Sequence, residues 1–182
     1  MRQIFDLFAS VILLLSLVIV ALFIAIAIRL TSKGPVLYWS ERIGKNNKIF
    51  KMPKFRSMLS GTPAVATHIL DNPDSYLSPI GSFLRSSSLD ELPQLFSVLK
   101  GDMSFVGPRP ALFNQVDLIA LRTEKGVDKL LPGITGWAQV NGRDELSIPD
   151  KVALDAEYLN RQSFWFDMKI LWMTFLKVMK RD

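Results

Sequence analysis

LFASVILLLSLVIVALFIAIAI, residues 7–28, carries no charged side chain, and its only polar ones are Ser10 and Ser16. As an α-helix rising 1.5 Å per residue the stretch is ~33 Å long, enough to cross the ~30 Å hydrocarbon layer of a bilayer. A cleaved signal peptide is the main rival, because Ala25-Ile26-Ala27 mimics a cleavage site. Signal cores, however, run only ~7–15 residues and follow a clearly basic flank, whereas this flank is weakly basic. The stretch therefore reads as a retained anchor. No proline lies between residues 1 and 34, so a proline kink cannot break the helix. Both a spanning and a re-entrant path remain open.

Working outward, basic residues gather after the apolar run, at Arg29, Lys33, Arg42, Lys45, Lys48, Lys51, Lys54 and Arg56. Upstream there is only Arg2, offset by Asp6. The positive-inside rule then puts the rest of the chain on the cytoplasmic side of the membrane. The expected organisation is an anchor over residues 1–33 and one cytoplasmic domain over 34–182. The net charge of +5 points to anionic partners, and part of that excess is the positive-inside bias itself. Cysteine is absent and His68 is the single histidine, read as a surface residue. Cysteine nucleophiles, disulfides and Cys or multi-His metal sites within the chain are thereby excluded. A metal would be held by carboxylates and substrate, which suits Mg²⁺ or Mn²⁺.

The fold class expected is α+β, predominantly helical, with a small β-hairpin and helices on the membrane surface. Pro35 to Met58 alternates loosely around Gly44-Lys45-Asn46-Asn47, the pattern of a hairpin. Tyr38 and Trp39 suit the membrane interface. Gly61 to Pro79 reads as a loop or short helix. Leu92, Leu95, Phe96 and Leu99 follow helical spacing up to Gly101, and Pro93 is tolerated only in a first turn. That predicts a helix starting near Asp90, with Asp90 or Ser88 at its cap. Further helices are expected over Leu112–Lys125, Ile148–Asn160 and Phe164–Lys180. The last is strongly apolar and is expected on the membrane surface or against the anchor.

Asp90 and Glu91 at a helix start have a bland explanation, capping and a favourable interaction with the helix dipole. The same position keeps a carboxylate ionised, as a nucleophile or metal ligand requires. Lys54, Arg56, Arg85, Arg109 and Arg143 each sit beside turn, Gly or Pro residues. Arg109, between Pro108 and Pro110, is a guanidinium on a stiff backbone, suited to bidentate phosphate binding. Neither a GxGxxG nor a Walker A sequence occurs.

Four words in order, KFRSM (54–58), RSSSLDELPQL (85–95), GDMSFVGPRP (101–110) and PGITGWAQVNGR (132–143), closely resemble those of the bacterial sugar transferases, or monotopic phosphoglycosyl transferases. The resemblance covers nearly the whole chain. It implies that Asp90 attacks a UDP-sugar, releasing UMP, and that undecaprenyl phosphate then attacks the phosphosugar–Asp intermediate, initiating surface glycan assembly. It implies that Glu91 binds Mg²⁺. By position, Arg85 and Arg109 are candidates for phosphate contacts, with Lys54, Arg56 and Arg143 as further substrate-binding candidates. Asp155 lies in a similar stretch, with no role assigned. Minimal members often carry a Ser-Pro pair in the membrane helix; here the region reads Leu17-Val18-Ile19-Val20. Partners expected are the donor, the lipid acceptor and inner-membrane lipids, with a homodimer left open and no nucleic acid, since the basic residues are dispersed among turns. An inactive membrane-anchored scaffold of a glycan assembly complex is the alternative.

Overall fold

The computed structural model describes residues 2–63, 71–142 and 145–179. It begins with one unbroken helix, α1 (Arg2–Thr31). Its exposed faces carry large apolar side chains such as Ile12, Leu15, Ile19 and Phe23. One stripe, through Asp6, Ser10, Ile24 and Ile28, is buried against the rest of the chain. The partly buried Ala9, Leu14, Leu17, Ala21 and Ala25 continue that stripe. The 3- and 4-residue steps put these positions on one face. The helix is long and apolar enough to cross a membrane.

Both ends of α1 touch the body. Near its start the Phe5 ring meets Phe105 and Phe164, at centroid distances of 6.5 and 5.8 Å. Beside it, Ser104 Oγ donates to Asp6 Oδ2 at 2.7 Å in a buried contact. At the other end Ile24 and Ile28 pack with Phe55 and Leu84.

The hairpin expected from the sequence is present as β1 (Leu37–Ile43) and β2 (Ile49–Phe55), antiparallel with Tyr38 opposite Lys54 and Arg42 opposite Phe50. Asn46 and Asn47 turn the chain at φ 56° and 57°, a left-handed conformation that asparagine tolerates better than most side chains. Strand alternation aims Lys54 and its neighbour Phe55 at opposite faces of the ribbon. Phe55 joins the cluster beneath α1, and Lys54 faces a cleft.

After α2 (Gly81–Ser86), Ser88 sits at φ 58° and the chain enters a 3₁₀ turn over Leu89–Gln94, then α3 (Leu95–Leu99). The helix expected from Asp90 thus begins as a tighter 3₁₀ turn. Ser88 is its N-cap residue but makes no side-chain cap bond. The buried face also differs from the expected stripe: Pro93, Gln94, Leu95, Ser97 and Val98 are inside while Phe96 is 58% exposed. The switch from three to 3.6 residues per turn rotates the face, which a single helical period does not capture.

β3 (Ser104–Val106) and β4 (Gly133–Thr135) form a parallel pair that the sequence reading did not foresee. It depends on close backbone approach at glycines. A Cβ on Gly133 would lie 2.1 Å from the Gly107 nitrogen, and one on Gly136 would lie 2.1 Å from the Gly107 oxygen.

α4 (Val116–Glu124) starts later than Leu112, because Leu112 bridges to Arg42 of β1 and its N–H donates to Gln115 Oε1. α5 (Trp137–Asn141) follows β4. α6 (Ile148–Arg161) is N-capped by Ser147, whose Oγ accepts from the Asp150 N–H. Its Tyr158 is buried, with its hydroxyl donating to Asp167 Oδ1 at 2.7 Å. α7 (Phe164–Met179) buries Phe166, Asp167 and Ile170 and exposes Trp165, Trp172, Phe175 and Leu176. Val106, Val127, Leu130, Val140, Tyr158, Phe166 and Ile170 form the largest core cluster.

Candidate active site

The sharp turn at Ser88 delivers Asp90 and Glu91 to the wall of a cleft of about 840 Å³. The volume falls within the usual range for small-molecule sites. Lys54 of β2, Arg85 of α2 and Arg109, on the loop after β3, line the same cleft. Three elements, two of them distant in sequence, therefore converge on the carboxylate pair.

Glu91 is the hub of the polar contacts. Its Oε1 accepts from Lys54 Nζ at 2.8 Å and from Arg109 Nη2 at 2.9 Å. Burial alone raises the Glu91 carboxyl, but the charges of Arg109 and Lys54 and their hydrogen bonds outweigh it. They hold the group well below the usual carboxylate range. Asp90 is only 7% exposed. Burial pushes its carboxyl up, Lys54 draws it back, and the neighbouring Glu91 charge pushes it up again, leaving it above the ordinary aspartate value. Two adjacent carboxylates are thus driven apart in acidity by their surroundings, a signature of functional sites. Lys54 is itself lowered, by burial first, against the pull of Glu91.

Of the expected substrate contacts, Lys54, Arg85 and Arg109 are brought together with Asp90 and Glu91. Arg56 is not. It is 6% exposed at the end of α1, where it donates to the carbonyl oxygens of Lys33 and Ser32 and to Ser32 Oγ. It occupies carbonyls around the helix end, a capping task. Arg143 and His68 lie outside the described residues.

Sequence reasoning passed over Arg42 and Arg122, which also line the cleft. Arg42 is lowered to about 10, mainly by burial and then by repulsion from Arg109. It stands between Glu41 and Ile43 inside β1, with no turn, Gly or Pro residue beside it, so the criterion that singled out the other cations misses it. Arg122 lies within α4, where nothing local distinguishes it. It pairs with Asp155, whose carboxyl burial pushes up against the pull of Arg122.

Among the described residues no three His, Cys, Asp or Glu side chains cluster as a protein-only metal cage. Asp90 and Glu91 are the oxygen-ligand residues at the cleft that could hold a hard divalent cation, with Lys54 and Arg109 both on Oε1 of Glu91.

The family model for bacterial sugar transferases matches residues 1–181. An uncharacterized sugar transferase, EpsL, of Bacillus subtilis is 40% identical over 181 residues, covering 98% of this chain and 87% of its own length. The UDP-glucose:undecaprenyl-phosphate glucose-1-phosphate transferase of Escherichia coli is 43% identical over 162 residues, 85% of this chain. The undecaprenyl-phosphate galactose phosphotransferase of Salmonella typhimurium is 38% identical over 167 residues, 82% of this chain. The chain spans only 35% and 34% of those last two proteins.

Proposed function

Because this chain belongs to the bacterial sugar transferase family, we propose that it moves a phosphosugar from a UDP-sugar to undecaprenyl phosphate, with Asp90 as nucleophile. The observation that carries this reading is Asp90 itself, a cleft carboxylate beside a Glu91 that is already engaged by Lys54 and Arg109. Asp90 Oδ attacks the phosphorus that bears the sugar, and the P–O bond to the uridine-side phosphate breaks, releasing UMP. An oxygen of undecaprenyl phosphate then attacks the same phosphorus, and the acyl phosphate bond breaks to regenerate Asp90. Positioning and charge neutralisation dominate such chemistry, and Arg109, Arg85 and Lys54 supply the cations.

Glu91, with Asp90 beside it, would hold Mg²⁺ together with oxygens of the donor's diphosphate. When bound, the ion would neutralise charge on those phosphates. Glu91's lowered pKa keeps it anionic for that role.

The membrane reading follows from α1. Its contacts with the body at both Phe5–Asp6 and Ile24–Ile28 favour a helix held on one face of the membrane rather than crossing it, with the cleft on the cytoplasmic side of the inner membrane. The exposed apolar side of α7, carrying Trp165, Trp172 and Phe175, supports the same contact with lipid.

A panel of UDP-sugars incubated with the protein, Mg²⁺ and undecaprenyl phosphate, with UMP release as the readout, tests the activity. Turnover of at least one donor is expected. No release from any donor would favour the inactive scaffold instead. Without lipid, stoichiometric UMP and a phosphosugar adduct on Asp90 are expected by mass spectrometry. A donor–acceptor ternary complex with no lipid-free release would exclude the covalent route.

A further inference from the structure

The loop that carries Arg109 is held by four consecutive carbonyl groups. Pro108 O accepts from the Gly133 N–H at 2.9 Å, and Ala111 O accepts from the Ile43 N–H at 2.9 Å. Between them, Arg109 O accepts from Arg122 Nη1 at 2.8 Å and Pro110 O accepts from Arg42 Nη1 at 3.1 Å. Pro108 and Pro110 have no N–H, so the loop cannot anchor itself by donating there. It is fixed from its acceptor side, and two of the four donors are side chains.

Arg122 is in turn fixed by a carboxylate. Its Nε and Nη2 both donate to Asp155 Oδ2, at 2.9 and 2.7 Å. Asp155 is 1% exposed and Arg122 8%. A buried ion pair of this kind is weak grounds for stability, since desolvation can cancel its attraction. Its geometry nevertheless has a specific consequence: the guanidinium faces the backbone of the residue whose side chain grips Glu91.

We propose that Asp155 and Arg122 are positioning residues, which clamp the Arg109 carbonyl and thereby aim the Arg109 guanidinium at the dyad and the donor's diphosphate. The chain of contact runs Asp155 to Arg122, to the Arg109 backbone, and from the Arg109 side chain to Glu91 Oε1. Asp155, on α6, touches neither carboxylate of the dyad; its effect passes through α4 and the loop. The proposal rests on the reading above in which Arg109 contacts the donor.

The test is a double-mutant cycle on donor kinetics, with melting temperature followed in parallel. Arg122→Lys keeps the charge but cannot serve Asp155 and the Arg109 carbonyl with a rigid fork. The double change Arg122→Met with Asp155→Leu removes both charges together, the replacement that buried pairs tolerate best. Both variants should stay folded and lose about 10- to 100-fold in kcat/KM for the UDP-sugar, the scale of a sub-ångström to ångström misplacement. In an Arg109→Ala background the same changes should cost almost nothing more. A purely structural pair, or an Arg122 that touches substrate directly, would instead give losses that add to those of Arg109→Ala. Additive losses, normal kinetics in the folded double variant, or failure of both variants to fold would each overturn the proposal. If Arg109→Ala alone leaves kcat/KM unchanged, the donor-site reading falls first, and the two failures are thereby told apart.

Discussion

Lys54 Nζ lies 2.8 Å from Glu91 Oε1, linking the end of a β-ribbon to the acidic turn 37 residues later. Both side chains are 15% exposed, so the contact is shielded from water and salt. It also places a positive charge close enough to draw the Asp90 pKa down, against the upward push of burial.

That relationship sets a pH dependence. Asp90 attacks only as the carboxylate, and burial holds its pKa above the ordinary aspartate value. Activity should therefore fall on acidification at a pH above the ~3.9 of a free aspartate. Lys54→Met removes a charge that draws Asp90 down, so the acidic limb should move to still higher pH. A pH–rate profile of kcat/KM for both proteins checks the direction; an unmoved limb would mean Asp90 is not the titrating group.

Asp90→Asn preserves shape inside the 3₁₀ turn, whose N-cap residue is Ser88, so folding should be retained. Turnover should drop by roughly 10⁴-fold or more, the scale of losing an essential nucleophile. Near-normal UMP release would rule Asp90 out.

Chelation offers a separate check on the metal. EDTA should abolish activity and Mg²⁺ restore it, while Glu91→Gln should remain severely impaired at any Mg²⁺ concentration. Full turnover in chelator is the contrary result.

Arg56→Met should behave differently from every cleft variant. It strips a partner from the Ser32 and Lys33 carbonyls in partly buried contacts, costing about 0.5–1.5 kcal/mol for each hydrogen bond lost. Melting temperature should fall while KM for the donor in the folded fraction stays near that of the unaltered protein. A selective rise in KM would return Arg56 to the substrate site.

For the topology, a cysteine introduced at the exposed Ile4 should resist an impermeant thiol reagent in intact cells and react after permeabilisation. Labelling in intact cells would put the start of α1 on the outer face and break the Asp6–Ser104 contact as an in-membrane arrangement.

Local chemistry in the sequence determined a good deal. The charge-free run at 7–28 specifies a helix because lipid leaves its backbone no other partners. Gly44 to Asn47 specifies the hairpin because asparagine accepts positive φ, and Pro93 confines a helix start to its vicinity. The carboxylate pair and three of its cations were legible because the residues around them are turn formers or belong to family words. Tertiary structure decided what depends on distant chain segments meeting. Lys54 and Arg56 look alike in sequence, two residues apart on a basic stretch, yet one reaches Glu91 and the other closes the end of α1. The pairing of β3 with β4 rests on backbone contacts between Gly107 and Gly133, invisible to any local period. Arg122 acquires its role only because folding sets α4 against α6 and buries its charge on Asp155, with a carbonyl of the Arg109 loop in reach. Burial turns an ordinary helix arginine into a directed contact, and burial is a property of the assembled chain.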